Sequence, residues 1–305
     1  MTIKRITSAV LALCLALSLC VGAGAAGSRQ EALQALGILS RDDSLSRTVT
    51  RAQFAQMLTA ASPYKDAAEG YGVSLFKDLR GDHQASGYVR IAVEQGWMSG
   101  YADGTFRPDQ AISLEEGCAA LLKALGYDPS ALKGAYPAAQ LAKASSIGLL
   151  DQVSAAQGAR LTRQDCVNLF YNLLTAKTSA GTVYGTTLGC SVTNGQVDYS
   201  ALVSAGTKGP YVAESAALSL PFTPGTVYYN GAASSLSAVQ QHDVYYYSAN
   251  MSTVWVYHDR VTGTLTGLSP SAAAPTAAAV AGVSYQLGTS EAAYQLSSQG
   301  SFQEG

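Results

Sequence analysis

Three times in its first 165 residues the chain repeats one short phrase, a hydroxyl residue followed by a helix whose third position can reach back to it: Thr50-Arg51-Ala52-Gln53, Ser113-Leu114-Glu115-Glu116 and Thr162-Arg163-Gln164-Asp165. In each phrase the Thr or Ser oxygen is placed to accept from the amide three residues on. Gln53 and Glu116 are placed to accept from the amide of the cap itself, and Asp165 is a shorter version of the same device. Apolar residues then recur at helical spacing: Phe54, Met57, Leu58 and Ala61; Cys118, Leu121, Leu122 and Leu125; Cys166, Leu169, Phe170 and Leu173. Each helix therefore carries one stripe to bury, and any fold must accommodate three copies of it.

Upstream of each cap lies a second helical stretch that stops at a glycine: Glu31 to Gly37, Tyr88 to Gly96 and Ala138 to Gly148. Each repeat is thus helix, loop, capped helix. The loops differ, with 13 steps from Gly37 to Thr50 and 14 from Gly148 to Thr162, against 17 from Gly96 to Ser113. The long one runs Gly96-Trp97-Met98-Ser99-Gly100-Tyr101-Ala102-Asp103-Gly104-Thr105-Phe106-Arg107-Pro108. Gly96 closes a helix in the left-handed region, Asp103-Gly104 is a tight-turn dipeptide, and Pro108 forbids immediate helix resumption.

Phe76-Lys77-Asp78-Leu79, Tyr88-Val89, Gly96 to Pro108, Ile112-Ser113 and Glu116 together resemble one full repeat of the S-layer homology domain. Residues 28–66, 74–128 and 134–177 resemble three such repeats, of which the first and third are degenerate because they lack the Asp-Gly turn. The resemblance implies a multidomain, secreted surface protein of clostridial type. Its helical half would be an all-α, three-pronged pseudo-trimer that anchors the protein non-covalently by binding secondary cell-wall polysaccharide. That polymer carries a pyruvate ketal, or the partner is another acidic wall glycan. Self-association in a surface layer is a further partner the resemblance allows; with no His-Glu-x-x-His, Gly-x-Ser-x-Gly or phosphate-loop motif and three scattered histidines, no catalysis, cofactor or metal is expected.

Arg51 and Arg163 stand at the first position of their helices, where the helix dipole makes a cation mildly unfavourable, by a few tenths of a kcal/mol to about 1 kcal/mol. Something else must favour them. Free amides at a helix start together with a guanidinium suit a carboxylate or phosphate. By resemblance, the corners Thr50-Arg51 and Thr162-Arg163 face polysaccharide grooves, whereas Leu114 leaves the second corner without its guanidinium. The alternative is that both arginines pair with carboxylates on a solvated face. Gly100, Tyr101 and Asp103 are either sugar contacts or loop architecture, Trp97 packs in the core or stacks on a sugar, and His83 is structural.

Residues 1–25 show Lys4 and Arg5, an uncharged apolar run from Ala9 to Val21, and a small-residue exit at Ala23-Gly24-Ala25, the layout of a cleaved signal peptide, with a transmembrane anchor as the alternative. Leu19 before Cys20 argues against a lipoprotein. The 19 basic residues less Lys4 and Arg5 leave 17 against 21 acidic ones, a net charge of −4. That sign disfavours nucleic acid or an anionic membrane as partner. The remaining thiols, Cys118, Cys166 and Cys190, are too dispersed for a metal cluster or a disulfide framework, and read as small core residues.

Residues 178–305 hold 2 basic and 6 acidic side chains but 11 of the 18 tyrosines, so a second domain begins there. Residues 178–210 read as a connector with short strands at Thr182-Tyr184 and Gln196-Tyr199. Residues 211–269 read as a small all-β module, an antiparallel barrel or sandwich. Its strands are Thr226–Tyr229, Asp243–Ser248, Thr253–His258 and Val261–Leu268, separated by Asn230-Gly231, Ala249-Asn250 and Asp259-Arg260. Tyr245-Tyr246-Tyr247 and Trp255 serve its core or a glycan face. Residues 270–281 read as an Ala/Pro linker, and 282–305 as the start of an incomplete second β module, because Gly282 to Gly288 echoes Gly225 to Gly231. Leu220-Pro221-Phe222-Thr223-Pro224 is not a sortase substrate, since Pro224 replaces the glycine. The function expected is therefore anchoring and display; the alternative is a wall-associated hydrolase or adhesin that works through the β half or beyond residue 305.

Overall fold

A computed structural model of the chain describes residues 25–41, 44–68, 74–258, 264–271, 276–286, 294–296 and 302–304. All of the expected leader except Ala25 lies outside the described residues, as does the Asp259-Arg260 turn. The chain divides into two compact units, residues 25–202 and residues 203 onward.

The first unit contains α1 (Ala25–Ala35), α2 (Arg51–Ala60), α3 (Ser86–Glu94), α4 (Leu114–Ala124), α5 (Ala138–Ser146) and α6 (Arg163–Thr175). The three capped helices are α2, α4 and α6, and each has its capping box complete in both directions. The helices do not pair within a repeat. Instead α2 packs with α3, α4 with α5, and α6 with α1, so every second helix joins the first helix of the next repeat and the last pair closes the circle.

At the centre of that circle the residue before each cap hands its hydrogen bond to the next. The Val49 amide donates to the Leu161 carbonyl (2.9 Å), Leu161 to Ile112 (3.0 Å), and Ile112 back to Val49 (2.9 Å). All three side chains are buried. A second tier repeats the cycle at the first helical residue: Arg51 donates to Gln110 (2.8 Å), Leu114 to Ala159 (3.0 Å) and Arg163 to Arg47 (2.8 Å). Each such bond is worth about 1 kcal/mol net, and a buried amide left without one costs about 1–3 kcal/mol.

All twelve apolar stripe residues are buried. Phe54 and Phe170 meet with ring centres 5.1 Å apart. Space for Phe54 comes from Gly117, four residues after its own cap as Phe54 is after Thr50. A Cβ there would stand 2.8 Å from Leu161 Cδ1 and 3.3 Å from Phe54 Cζ. A large ring in one repeat is thus matched by an absent side chain in the next.

Residues 178–202, a connector by composition, pack with the helices. A 3₁₀ turn at Tyr184–Leu188 brings the buried Tyr184 hydroxyl to the Ala61 carbonyl at 2.8 Å. A two-stranded hairpin, β1 (Val192–Thr193) with β2 (Gln196–Val197), follows, and the Val197 amide donates to the Tyr171 hydroxyl at 3.3 Å. The strand expected at Thr182-Tyr184 is only a single bridge between Lys177 and Val183. The division between units falls within α7 (Tyr199–Gly206).

The second unit is built on a five-stranded sheet of β3 (Lys208–Val212), β4 (Thr226–Tyr229), β5 (Ala232–Ser234), β6 (Val244–Ser248) and β7 (Thr253–Tyr257), in the order β3-β6-β7-β4-β5. The sheet is mixed, because β4 runs parallel to β7 while its other pairings are antiparallel. Its edges are β3 and β5. This corrects the expected antiparallel barrel or sandwich. The amides of Gly225 and Thr226 bond the Ser252 carbonyl, which starts β4 beside the start of β7 and sets the two in the same direction. Tyr245, Tyr246 and Trp255 are buried and belong to the core. Leu220 and Phe222 of the rejected sortase-like segment pack against the cluster formed by Val227, Tyr245, Val254 and Val256. A three-stranded antiparallel sheet joins β8 (Leu265–Ser269), β9 (Ala277–Val280) and β10 (Val283–Gln286). The strand β9 lies inside the stretch read as a linker, because alanines whose backbone pairs on both sides need no bulky side chain to form a strand. A final hairpin pairs β11 (Tyr294–Leu296) with β12 (Phe302–Glu304).

Among the described residues no helix is long and apolar enough to cross a membrane, and no group of three His, Cys, Asp or Glu is placed to hold a metal ion. The three thiols are buried and unbridged. Burial pushes Cys118 up to about 12 and raises Cys166 and Cys190 as well.

Candidate functional site

The long loop of the second repeat is held from below by the Phe76-Lys77-Asp78-Leu79 motif. The Asp78 carboxylate accepts from the amides of Phe106 and Arg107, both at 2.8 Å, and the Phe76 ring lies 5.3 Å from that of Phe106. Gly100 sits so close to this pair that a Cβ would stand 2.2 Å from Phe76 Cε1 and 2.9 Å from the Thr105 carbonyl oxygen. Asp103 closes the tip by accepting from the Thr105 hydroxyl (2.6 Å) and amide (3.0 Å). Those two bonds, with Arg107 beside it, hold the Asp103 carboxyl below its usual range. Gly100 and Asp103 therefore build the loop. His83 likewise shapes a helix start, its ring nitrogen accepting from the Ala85 amide at 3.1 Å.

Arg51 enters this loop from the first turn of α2, with only 6% of its side chain exposed. Its Nε donates to the Phe106 carbonyl (2.9 Å), one terminal nitrogen to the Ser99 carbonyl (2.7 Å), and the other to Glu116 Oε1 (3.1 Å). The guanidinium carbon lies 4.7 Å from the Phe106 ring centre and 5.0 Å from that of Tyr101. These contacts supply what the helix dipole withholds, and they explain a cation at the start of α2. Three of the five guanidinium N–H groups are used in these bonds, which leaves two. Arg51 does pair with a carboxylate, though in a buried setting and not on a solvated face.

The first-turn amides are already bonded within the protein, which corrects the expectation of free amides at these helix starts. On α2, Arg51 and Ala52 donate to the carbonyls of Gln110 and Pro108, while Gln53 donates to the Thr50 hydroxyl. On α6, Arg163 and Gln164 donate to Arg47 and Leu45, while Asp165 donates to the Thr162 hydroxyl. The extended segment of a neighbouring repeat supplies the acceptors. Thr50 and Thr162 thus spend their side-chain oxygens on their own helices.

Above Arg51 opens a cavity of about 200 Å³, lined by Trp97, Tyr101, Glu116, Lys123 and Tyr136 among others. Two guanidinium groups lie against the Tyr101 ring, Arg51 at 5.0 Å and Arg107 at 3.7 Å from its centre. Trp97 is buried with its ring 6.1 Å from Tyr64, so it packs in the core and reaches the cleft only at its wall. Glu116 serves two elements at once, since Oε2 accepts from the Ser113 amide (2.9 Å) while Oε1 faces Arg51. In the sequence Glu116 is legible as a cap and as part of the repeat motif, whereas Lys123 and Tyr136 carry no local mark of this cleft. Tyr136 arrives from the segment leading into α5, and nothing in the local pattern announces that.

Arg163 repeats part of the Arg51 geometry. Its guanidinium donates to the carbonyl of Ser40 and, at 3.0 Å, to the Ser40 hydroxyl. Ser40 stands three residues after Gly37 as Ser99 stands three after Gly96, so the two arginines grip equivalent points of equivalent loops. Leu114 at the third corner is buried.

In comparison with known proteins, residues 75–116 match the family model described as S-layer homology domain. The middle cell wall protein of Brevibacillus brevis is 26% identical over 166 residues, covering 53% of this chain and 16% of that protein. A cell surface protein of Thermoanaerobacter kivui is 30% identical over 123 residues, 40% of this chain and 16% of its own. The cellulosome-anchoring protein of Acetivibrio thermocellus is 31% identical over 80 residues, 26% of this chain and 17% of its own. The chain spans about a sixth of the length of these relatives.

Proposed function

We propose that this chain, a cell-surface protein carrying an S-layer homology domain, anchors itself to the cell wall by binding an acidic wall polysaccharide between its helix pairs. On this reading the closed circle of six helices is a three-pronged pseudo-trimer of three such repeats, and the second unit is displayed outward. The protein works by binding, without catalysis of its own. The observation that carries the proposal is the Arg51 cleft. A fixed guanidinium with two unused N–H groups forms its floor, aromatic rings form its walls, and Thr50 and Gly100 hold the frame around it. The names of the related cell-wall, cell-surface and anchoring proteins support the same reading. A single charge-assisted contact is worth about 1.5–3 kcal/mol, so one cleft grips weakly. Retention would come from engaging a repeating polymer at more than one corner, Arg51 and Arg163 being the two that carry a guanidinium.

The full chain is expected in the pellet when mixed with purified walls and centrifuged, and in the supernatant when the secondary polysaccharide has been extracted first. Combining Arg51→Ala with Arg163→Ala is expected to weaken retention several-fold in protein whose circular dichroism is unchanged. A wild-type chain that ignores intact walls would overturn the proposal.

A further inference from the structure

We infer that Lys123 is the group that selects a negatively charged sugar in this cleft, while Arg51, already beside Glu116, fixes the loop and offers its two unused N–H groups to neutral sugar oxygens; the inference rests on the cleft being the glycan site proposed above. The argument starts from charge. Glu116 faces Arg51 at 3.1 Å and, on its other oxygen, the half-exposed Arg160 at 3.9 Å, so a carboxylate meets part of the charge of the Arg51 guanidinium. Its remaining bonds run to the carbonyls of Phe106 and Ser99, which fix the loop. Lys123 lines the same cavity and has no carboxylate partner among the described residues. It is therefore the cleft's uncompensated cation.

Geometry gives it a place to act. Glu116, Ala119 and Lys123 all line the cavity, and their spacing of three and then four residues puts them on one face of α4. Seven residues of helix separate Glu116 from Lys123 by about 10 Å. Between them the wall is only the methyl group of Ala119, so the cleft runs, across a low sill, from an end where a carboxylate stands beside the cation to an end where none does. Tyr136 lines this cavity and yet is 57% exposed, whereas Trp97 beside it is buried. An aromatic face left in solvent at such a rim suits the apolar face of a sugar ring. The ligand chemistry that fits is one carboxylated sugar residue, its ring against Tyr136 and its carboxylate on the Lys123 ammonium.

The test measures binding of the full chain to purified wall polysaccharide with its carboxyl groups intact, and to the same polymer with those groups reduced to alcohols. Wild type is expected to prefer the intact polymer. Lys123→Gln should lose about tenfold on the intact polymer and nothing on the reduced one, as one charge-assisted contact implies, and Lys123→Arg should recover most of the loss. The thermal midpoint should stay unchanged in both variants. Equal wild-type affinity for the two polymers, or a Lys123→Gln chain that binds the intact polymer as wild type does, overturns the assignment of Lys123 while leaving the cleft as a glycan site. A Lys123→Gln chain that weakens equally on both polymers also overturns it. Failure of wild type to bind either polymer overturns the underlying reading itself.

Discussion

Gly100 has no side chain because Phe76 occupies the place where one would go. Replacing it by alanine forces the Phe76 ring or the Thr105 carbonyl to move, and both are fixed by the Asp78 anchor and the Phe106 stack. Gly100→Ala is therefore expected to destabilise the helical unit by about 1–3 kcal/mol, read as a lower urea midpoint with an unchanged slope. An unaltered midpoint would free Gly100 for a direct role at the ligand. The same scale shows why residue type alone misjudged Arg51. Its position at a helix start announced an unusual cation, and that much was legible. What it bonds depends on Phe106, Ser99 and Glu116, which lie 48 to 65 residues away along the chain.

At the scale of the element, each capped helix is held at its start by its own side chains and by a neighbour's backbone. Asp165 illustrates the balance on α6. Burial works against its ionised form, but the Thr162 hydroxyl and the amides of Thr162, Ser154 and Ala155 outweigh that and hold its pKa below the usual value. A group lowered in this way adds stability above its unfolded pKa, about 3.9, and loses it as pH falls through the folded value. Urea midpoints are expected to hold steady from pH 7 to about 5 and to fall below about 4. Asp165→Asn should be less stable at neutral pH and show a flatter acid decline; an equally steep decline in the variant would show that other carboxylates set it. The caps and stripes of these helices were readable because both are local, written within four residues by a side chain that reaches its own backbone.

For the whole molecule, the decisive feature is that no repeat keeps its own helices together. Because α2 packs with α3, α4 with α5 and α6 with α1, opening one pair disturbs two repeats. The ring through Val49, Leu161 and Ile112 then cannot open at one member alone. Hydrogen exchange is expected to find these three amides among the slowest of the helical unit and to release them together. One of them exchanging well ahead of the others would mean the repeats open independently. By itself the sequence determined the three capped helix starts, the buried stripes that follow them and the strands at Thr226–Tyr229, Val244–Ser248 and Thr253–Tyr257, because capping, periodicity and turn chemistry act over a few residues. Only the tertiary structure decided which helix pairs with which, that the helix-start amides are occupied, that β4 lies parallel to β7, and that Glu116, Lys123 and Tyr136 share a cleft with Arg51. Those outcomes depend on contacts between distant segments, whose partners compete on packing and on the pairing of buried polar groups, and neither is written at any single place in the chain.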